Sequence, residues 1–389
     1  MFSLSDLLKG RGHEVVPFAM KDARNALTEW NQYFVSAVET EKMSFGWQGL
    51  RTAGRFIYSF EAVRKFRELV GRGKPDLLHI HNLYHQISPS ILPVAKEMGV
   101  PVVMTAHDFA LVAPNYSLFH DGAICEHTKP DRYWQAVSHR CVRGSRLAGM
   151  LEAVEMGFQK WRGLWLPNID RIVAPAKFVA DTLIAYGVPA EKIVVVPHFV
   201  TAPVVEEVVW DEGEYMLYVG RLVAEKGVDV LVRAAARVPE IPVHIVGVGP
   251  DEERLRRLAD SVGARNVVFR GFLEGAALTR EYARATALVV PSVWYEVFGL
   301  ICLEAAAQGK PVIASKIGSL PEVVLDGETG LLFPAGDADV LAGHMMTLWR
   351  EPRFAEALGV RGWKRVKDEF GAEKHYERLM GVYSGVMKH

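Results

Sequence analysis

The chain has 389 residues, 50% hydrophobic and 23% charged, enough to bury two cores unaided, and this composition excludes a disordered, collagen-like or coiled-coil protein. Its formal charge of −1 provides no global field for nucleic acid, and no apolar run approaches the ~18 residues of a membrane span. Three cysteines fit no disulfide framework, and the start MFSLSDLLKGRGHEVV lacks the basic-then-apolar order of a signal peptide, so the expected compartment is the cytoplasm.

In chain order, β-branched runs alternate with amphipathic stretches of helical length, the pattern of a parallel sheet covered on both faces. The first half predicts strands at HEVVPF (13–18), DLLHIH (76–81), VPVVMTAH (100–107), DRIVAP (170–175) and KIVVVPH (192–198). The second half predicts EYMLYVG (214–220), a helix over 228–238, PVHIVGVG (242–249), a helix over 249–263 and NVVFRGF (266–272). A short helix, ALVVPS (287–292), another helix and KPVIAS (310–315) follow. The segment 198–214 turns acidic after two turn residues and reads as a linker. The expected fold is therefore α/β, with two doubly wound, Rossmann-like domains facing a cleft, over 1–200 and 201–370. Residues 371–389 read as an amphipathic helix. Residues 1–200 hold 23 Lys+Arg against 19 Asp+Glu and the remainder 22 against 27, so the first half is the basic one.

Open α/β sheets bind ligands beyond the carboxyl ends of their strands, where the chemistry is expected. After EYMLYVG, the loop Gly220 to Gly227 carries Arg221 and Lys226, a fork and a point charge suited to phosphate. After ALVVPS, Glu296 precedes Phe298, Gly299 and Leu300 at the start of an apolar helix, and Glu304 lies about 7 Å further along it at 1.5 Å per residue. A nucleotide-sugar matches that scale: diphosphate on the helix amides, ribose at Glu304, sugar at Glu296. Cys125, His127, His139 and Cys141 form C-x-H and H-x-C units, leaving a zinc site, a disulfide or free thiols open. The stretch 140–166 mixes Arg143, Arg146, Lys160 and Arg162 with Leu, Met and Trp. It reads either as a core helix or as one that docks on an anionic leaflet.

The succession YVGRLVAEKG, VHIVGVGP, VVFRGF, VVPSVWYEVFGLICLEAAAQGKPVIAS and GSLPEVVLDGETGLLF resembles the retaining GT-B glycosyltransferases of the large family 4 (glycosyl transferases group 1), marked by Glu, seven residues, Glu. PDLLHIHNLYHQISPSIL and MTAHDFALVAPNYSLF extend the resemblance into the first half, where it is looser. The resemblance implies that Gly220, Arg221 and Lys226 bind the donor diphosphate, that Glu296 contacts the transferred sugar and that Glu304 binds ribose. It implies a nucleobase pocket at Val248, Gly249, Gly271, Phe272 and Leu273. It also implies a catalytic His107 near the reacting carbon, with Asp108 placed on the acceptor side. His79 and His81 alternate onto one side of their strand with His85 just beyond, which leaves acceptor contacts at His81 and His85, strand-end packing or metal binding open. The activity implied is transfer of a sugar from a nucleoside diphosphate to an acceptor hydroxyl with retention, without cofactor or metal, in envelope or exopolysaccharide assembly. A glycan or lipid-linked acceptor and peripheral membrane contact go with it, and the C-terminal helix is expected to cross back onto the first domain. The alternatives are a sugar-nucleotide epimerase of the same architecture or a non-catalytic nucleotide-sugar binder. The family opens with a strand and a glycine-rich loop, whereas this sequence starts within the following helix at Phe2-Ser3-Leu4, so a native chain extending some 20 residues upstream is expected.

Overall fold

The structure is a computed structural model and describes residues 2–37, 54–55, 57–83, 87–208 and 213–387. Its first sheet joins β1 (Leu78–Ile80), β2 (Val102–Thr105), β5 (Arg171–Ala174) and β6 (Ile193–Val195) in that order, all parallel. Between β2 and β5 sits a short antiparallel pair, β3 (Phe119–His120) and β4 (Ala123–Ile124). The second sheet holds β7 (Tyr215–Val219), β8 (Val243–Val246), β9 (Val267–Gly271), β10 (Ala285–Val290), β11 (Val312–Ser315) and β12 (Gly330–Phe333). Their order is β12-β11-β10-β7-β8-β9, again parallel throughout. The order reverses between β7 and β10, and at such a switch point the loops leave in opposite directions and open a crevice.

Both faces of each sheet are covered, which is why the strands read as nearly continuous apolar runs. In β7, Leu217 packs on one face while Met216 and Tyr218 pack on the other, with helix Val228–Ala235. In the first sheet Val102 and Met104 face the main core, whereas Val103 and Val173 face Leu4, Leu379, Val382 and Tyr383. The helix Ala372–Met387 thus lies against the first sheet, beside helix Phe2–Gly10. His79 anchors it from β1, meeting the Tyr383 hydroxyl at 2.6 Å and Thr105 Oγ1 at 2.8 Å.

One expected strand does not form. HEVVPF is unpaired, with an isolated bridge between Met20 and Val35 beside it. Pro17 has no N–H to donate, and no neighbouring strand flanks the segment among the described residues, so Val16 and Phe18 pack on the core without a ladder. Within the linker 198–214, residues 209–212 lie outside the described residues.

The two sheets meet through a helix terminus. Helix Lys177–Ala185 has no side-chain cap of its own, and Glu322 from the second half accepts from Lys177 N at 2.7 Å and Phe178 N at 2.6 Å. Phe178 packs edge-on against Tyr295 at 4.9 Å beside this cap. A carboxylate at a helix N-terminus satisfies donors that the helix itself leaves open. Glu322→Ala is expected to lower stability by about 1–2 kcal/mol, read as an earlier urea midpoint. Glu322→Gln, which keeps one acceptor oxygen, should recover part of it; unchanged midpoints in both would refute the role.

Candidate functional site

The carboxyl ends of β7 and β10 bring the predicted donor residues together. Gly227 has φ 63°, and a Cβ there would stand 2.0 Å from the Pro291 carbonyl oxygen, so only glycine lets the 220–227 loop pass so close to the end of β10. That passage places Lys226 Nζ 2.7 Å from Glu296 Oε1, and Ser292 Oγ donates to the same oxygen at 2.6 Å. Glu296 is 6% exposed, and a buried carboxylate demands such partners. Its backbone is held as tightly: Ser319 N donates to Glu296 O at 2.9 Å, and a Cβ on Gly318 would lie 2.6 Å from Glu296 N. The Trp294 ring lies under the Lys226 ammonium, 5.1 Å to its centroid.

Arg221 extends into solvent, 73% exposed, with the Glu225 carboxylate 4.0 Å away. Helix Leu300–Ala307 begins at Gly299, φ 81°, and no side chain caps it. Glu304 lies one turn in, where Tyr282 donates to Oε2 at 2.8 Å. Burial raises the Glu304 carboxyl above the usual range, and the Tyr282 bond opposes that rise. The expected base-pocket residues follow along the same edge: Leu222 N donates to Val248 O at 3.0 Å, and Gly247 N to Gly271 O at 2.8 Å. Gly249 packs on the Leu222 carbonyl, while Val248 and Phe272 stay exposed and Leu273 packs against the core.

The first sheet contributes a row of imidazoles. His81 Nδ1 meets His107 Nε2 at 2.9 Å, His107 stacks on His198 at 5.3 Å, and His198 meets Phe298 edge-on at 5.2 Å. His107 is thereby joined by ring contacts to the start of helix Leu300–Ala307. Burial pushes His79 and His198 down to about 3 and His107 to about 4, and lowers His81 as well. It pushes the Asp108 carboxyl up to about 6 against the Ala110 N–H bond. His85 lies outside the described residues.

Cys125, His127, His139 and Cys141 do not converge on one point. The two sulfurs approach to 3.2 Å inside an apolar cluster, whereas exposed His127 stacks flat on His139 at 3.8 Å, ring face to ring face. Among the described residues no group of three or more His, Cys, Asp or Glu is arranged to hold a metal. Sequence reasoning missed Ser292, Tyr282, His198 and Glu322. His198 ends KIVVVPH at a strand's carboxyl end as His107 does, and the same rule would have found it. Tyr282 and Glu322 carry no local signal, because their roles exist only across the fold.

Two parallel sheets, each covered on both faces and with strand ends facing one crevice, make this a GT-B fold. Residues 1–202 match Glycosyltransferase Family 4 and residues 205–365 match Glycosyl transferases group 1, and the chain belongs to this family. It is 36% identical over 176 residues to a GDP-mannose-dependent alpha-(1-6)-phosphatidylinositol monomannoside mannosyltransferase of Mycolicibacterium smegmatis, covering 42% of this chain and 46% of that protein. Sucrose-phosphate synthase from Thermosynechococcus elongatus superposes with a TM-score of 0.71 at 23% identity, over 99% of this chain and 92% of that one. An Anabaena protein, HepE, solved with UDP-glucose gives 0.59 at 18% identity, over 82% of each chain. The chain spans about half the length of the first curated relatives it matches.

The buried imidazoles set a pH dependence. Each is neutral in the fold but titrates near 6.5 when unfolded, so below that pH the unfolded chain binds more protons and stability falls. Asp108 works oppositely: it keeps its proton up to about 6 in the fold and so favours folding on the acid side. The four histidines outweigh it, and these groups together are expected to take up about three protons on unfolding near pH 5. Urea midpoints measured from pH 7 to 5 should fall accordingly, and His198→Asn should shrink the slope by about one proton. A flat profile would refute the buried neutral row.

Proposed function

We propose that the chain is a retaining, metal-independent glycosyltransferase that moves a sugar from a nucleoside diphosphate to an acceptor hydroxyl in envelope or exopolysaccharide assembly. The observation that carries this reading is the convergence, at the switch point of the second sheet, of Lys226 on Glu296 and of Glu304 behind an uncapped helix terminus. Arg221, Lys226 and the amides at Phe298 to Leu300 hold the diphosphate. Glu304, oriented by Tyr282, takes the ribose hydroxyls, and Glu296 and His107 contact the sugar. The base stacks or packs near Val248 to Gly249 and Gly271 to Leu273. One solved protein of this fold, HepE, is in complex with UDP-glucose, and one curated relative is named for GDP-mannose; both support a nucleotide-sugar donor of the same kind.

The reaction is a front-face displacement. The bond from the anomeric carbon to the diphosphate oxygen breaks, the acceptor oxygen bonds to the same face, and its proton passes to the departing diphosphate. Arg221, Lys226 and the helix amides stabilise the negative charge that grows on the leaving group, so neither a protein nucleophile nor a metal is required. Thermal melts with UDP, GDP and ADP should show one base stabilising the chain by about 2.7 kcal/mol at 100 times its dissociation constant. Glu304→Ala should abolish that gain, and Lys226→Ala should cut turnover roughly 100-fold while EDTA leaves the parent activity intact. A glycosyl adduct trapped on a protein carboxylate, or a product of inverted configuration, would overturn the mechanism.

The acceptor side faces an anionic membrane in this reading. Helix Arg146–Trp161 leaves Leu147, Met150, Leu151, Val154 and Trp161 exposed at helical spacing, with Arg143, Arg146 and Lys160 exposed at its two ends. Lys160 is paired with Asp131, but Arg162 beside it is exposed, so cations remain at both ends. Such a stripe suits the boundary between headgroup and acyl chain, and those cations disfavour pairing with a second copy. No helix among the described residues is long and apolar enough to cross a membrane. Flotation with phosphatidylglycerol vesicles should carry the chain, and Leu147→Asp with Leu151→Asp should release it. Binding equally to neutral phosphatidylcholine, or dimerisation through this face, would refute the docking.

A further inference from the structure

We propose that Cys125 and Cys141 are a redox pair whose disulfide clamps the segment between β2 and helix Arg146–Trp161. Their sulfurs stand 3.2 Å apart, with the Cys125 thiol donating to Cys141, and both side chains are buried. The segment around them is poor in regular structure. Five of the seven non-glycine residues with a left-handed backbone among the described residues fall in it: Leu118, Asp121, Asp131, Arg140 and Arg143. Upstream, Phe109, Leu111, Val112, Ala113 and Leu118 join the main core, whereas from Cys125 to Val142 the buried apolar residues form one small cluster, Cys125, Ala136, Cys141 and Val142, with Ala148 against it. A region that buries so little apolar surface is where a covalent cross-link adds most, since it restricts the unfolded chain. The clamp also seats the following helix: Gly149 packs so closely on the Ala136 carbonyl that a Cβ would stand 2.6 Å from its oxygen.

The oxidant is a low-molecular-weight disulfide of the glutathione type. One cysteine, deprotonated, attacks an oxidant sulfur, forming a mixed disulfide and releasing one thiolate. The second cysteine then displaces the other, so two protons and two electrons leave the protein and the oxidant ends as two thiols. Burial and the Cys125 bond push the Cys141 thiol up to about 12, which makes exchange slow in both directions. The pair therefore holds its redox state rather than following the pool quickly. Cys302, buried within helix Leu300–Ala307, takes no part.

The test is to oxidise the full chain with oxidised glutathione and to count thiols in denaturant. One thiol of three should stay titratable, a peptide map should join Cys125 to Cys141, and the melting temperature should rise by about 5 °C, all reversed by dithiothreitol. Cys302→Ser should form the same bond, while Cys125→Ser should show no rise. If Cys125→Ser fails to fold, the parent map decides alone. Three titratable thiols after oxidation, a lasting glutathione adduct in place of the internal bond, or a bond without the thermal shift would overturn the proposal.

Discussion

The site depends on one ion pair. A carboxylate as buried as Glu296 is tolerated only when its charge is answered, and the answer comes from Lys226 on another strand's loop and from Ser292 four residues upstream. Three segments are registered by that requirement. The 220–227 loop must approach β10, which demands the glycine at 227, and the 316–319 turn must close on the Glu296 backbone, which demands the glycine at 318. The apolar helix that follows is thereby aimed with its open amides toward the crevice. Placement of a single charge thus organises a pocket whose other members make few direct contacts with it.

The two walls of the crevice differ in kind. The second sheet presents cations and backbone donors. The first presents His81, His107 and His198 in ring contact, all depressed by burial and so neutral there. A neutral imidazole can donate from one nitrogen and accept at the other, which suits hydroxyl-rich ligands better than phosphates. Burial of the imidazoles on the first side and exposure of Arg221 on the second thus give the two walls different chemistry.

Much of this was legible in the sequence. Periodicity marked five of the six strands of the second sheet, all but β12, and the spacing of Arg221, Lys226, Glu296 and Glu304 marked a candidate site, since all but Glu304 lie on loops that follow strands. HEVVPF read as a strand because its pattern is correct, yet pairing is a property of neighbours and not of the segment. The sequence left Cys125 and Cys141 between metal, disulfide and free thiols, since facing directions across a 16-residue excursion are invisible in one dimension. Helix Arg146–Trp161 was likewise ambiguous: the same Leu and Met spacing serves a core or an outer surface, and only burial tells them apart.

The Glu322 cap has a consequence for motion. Any rotation that parts the two sheets pulls the carboxylate from the first amides of helix Lys177–Ala185 and leaves them to water. The amides of Lys177 and Phe178 are therefore a gauge wired to the width of the crevice, shielded from hydrogen exchange when it is shut and labelled when it opens. Exchange at these two amides would report any such opening without altering a residue of the candidate site.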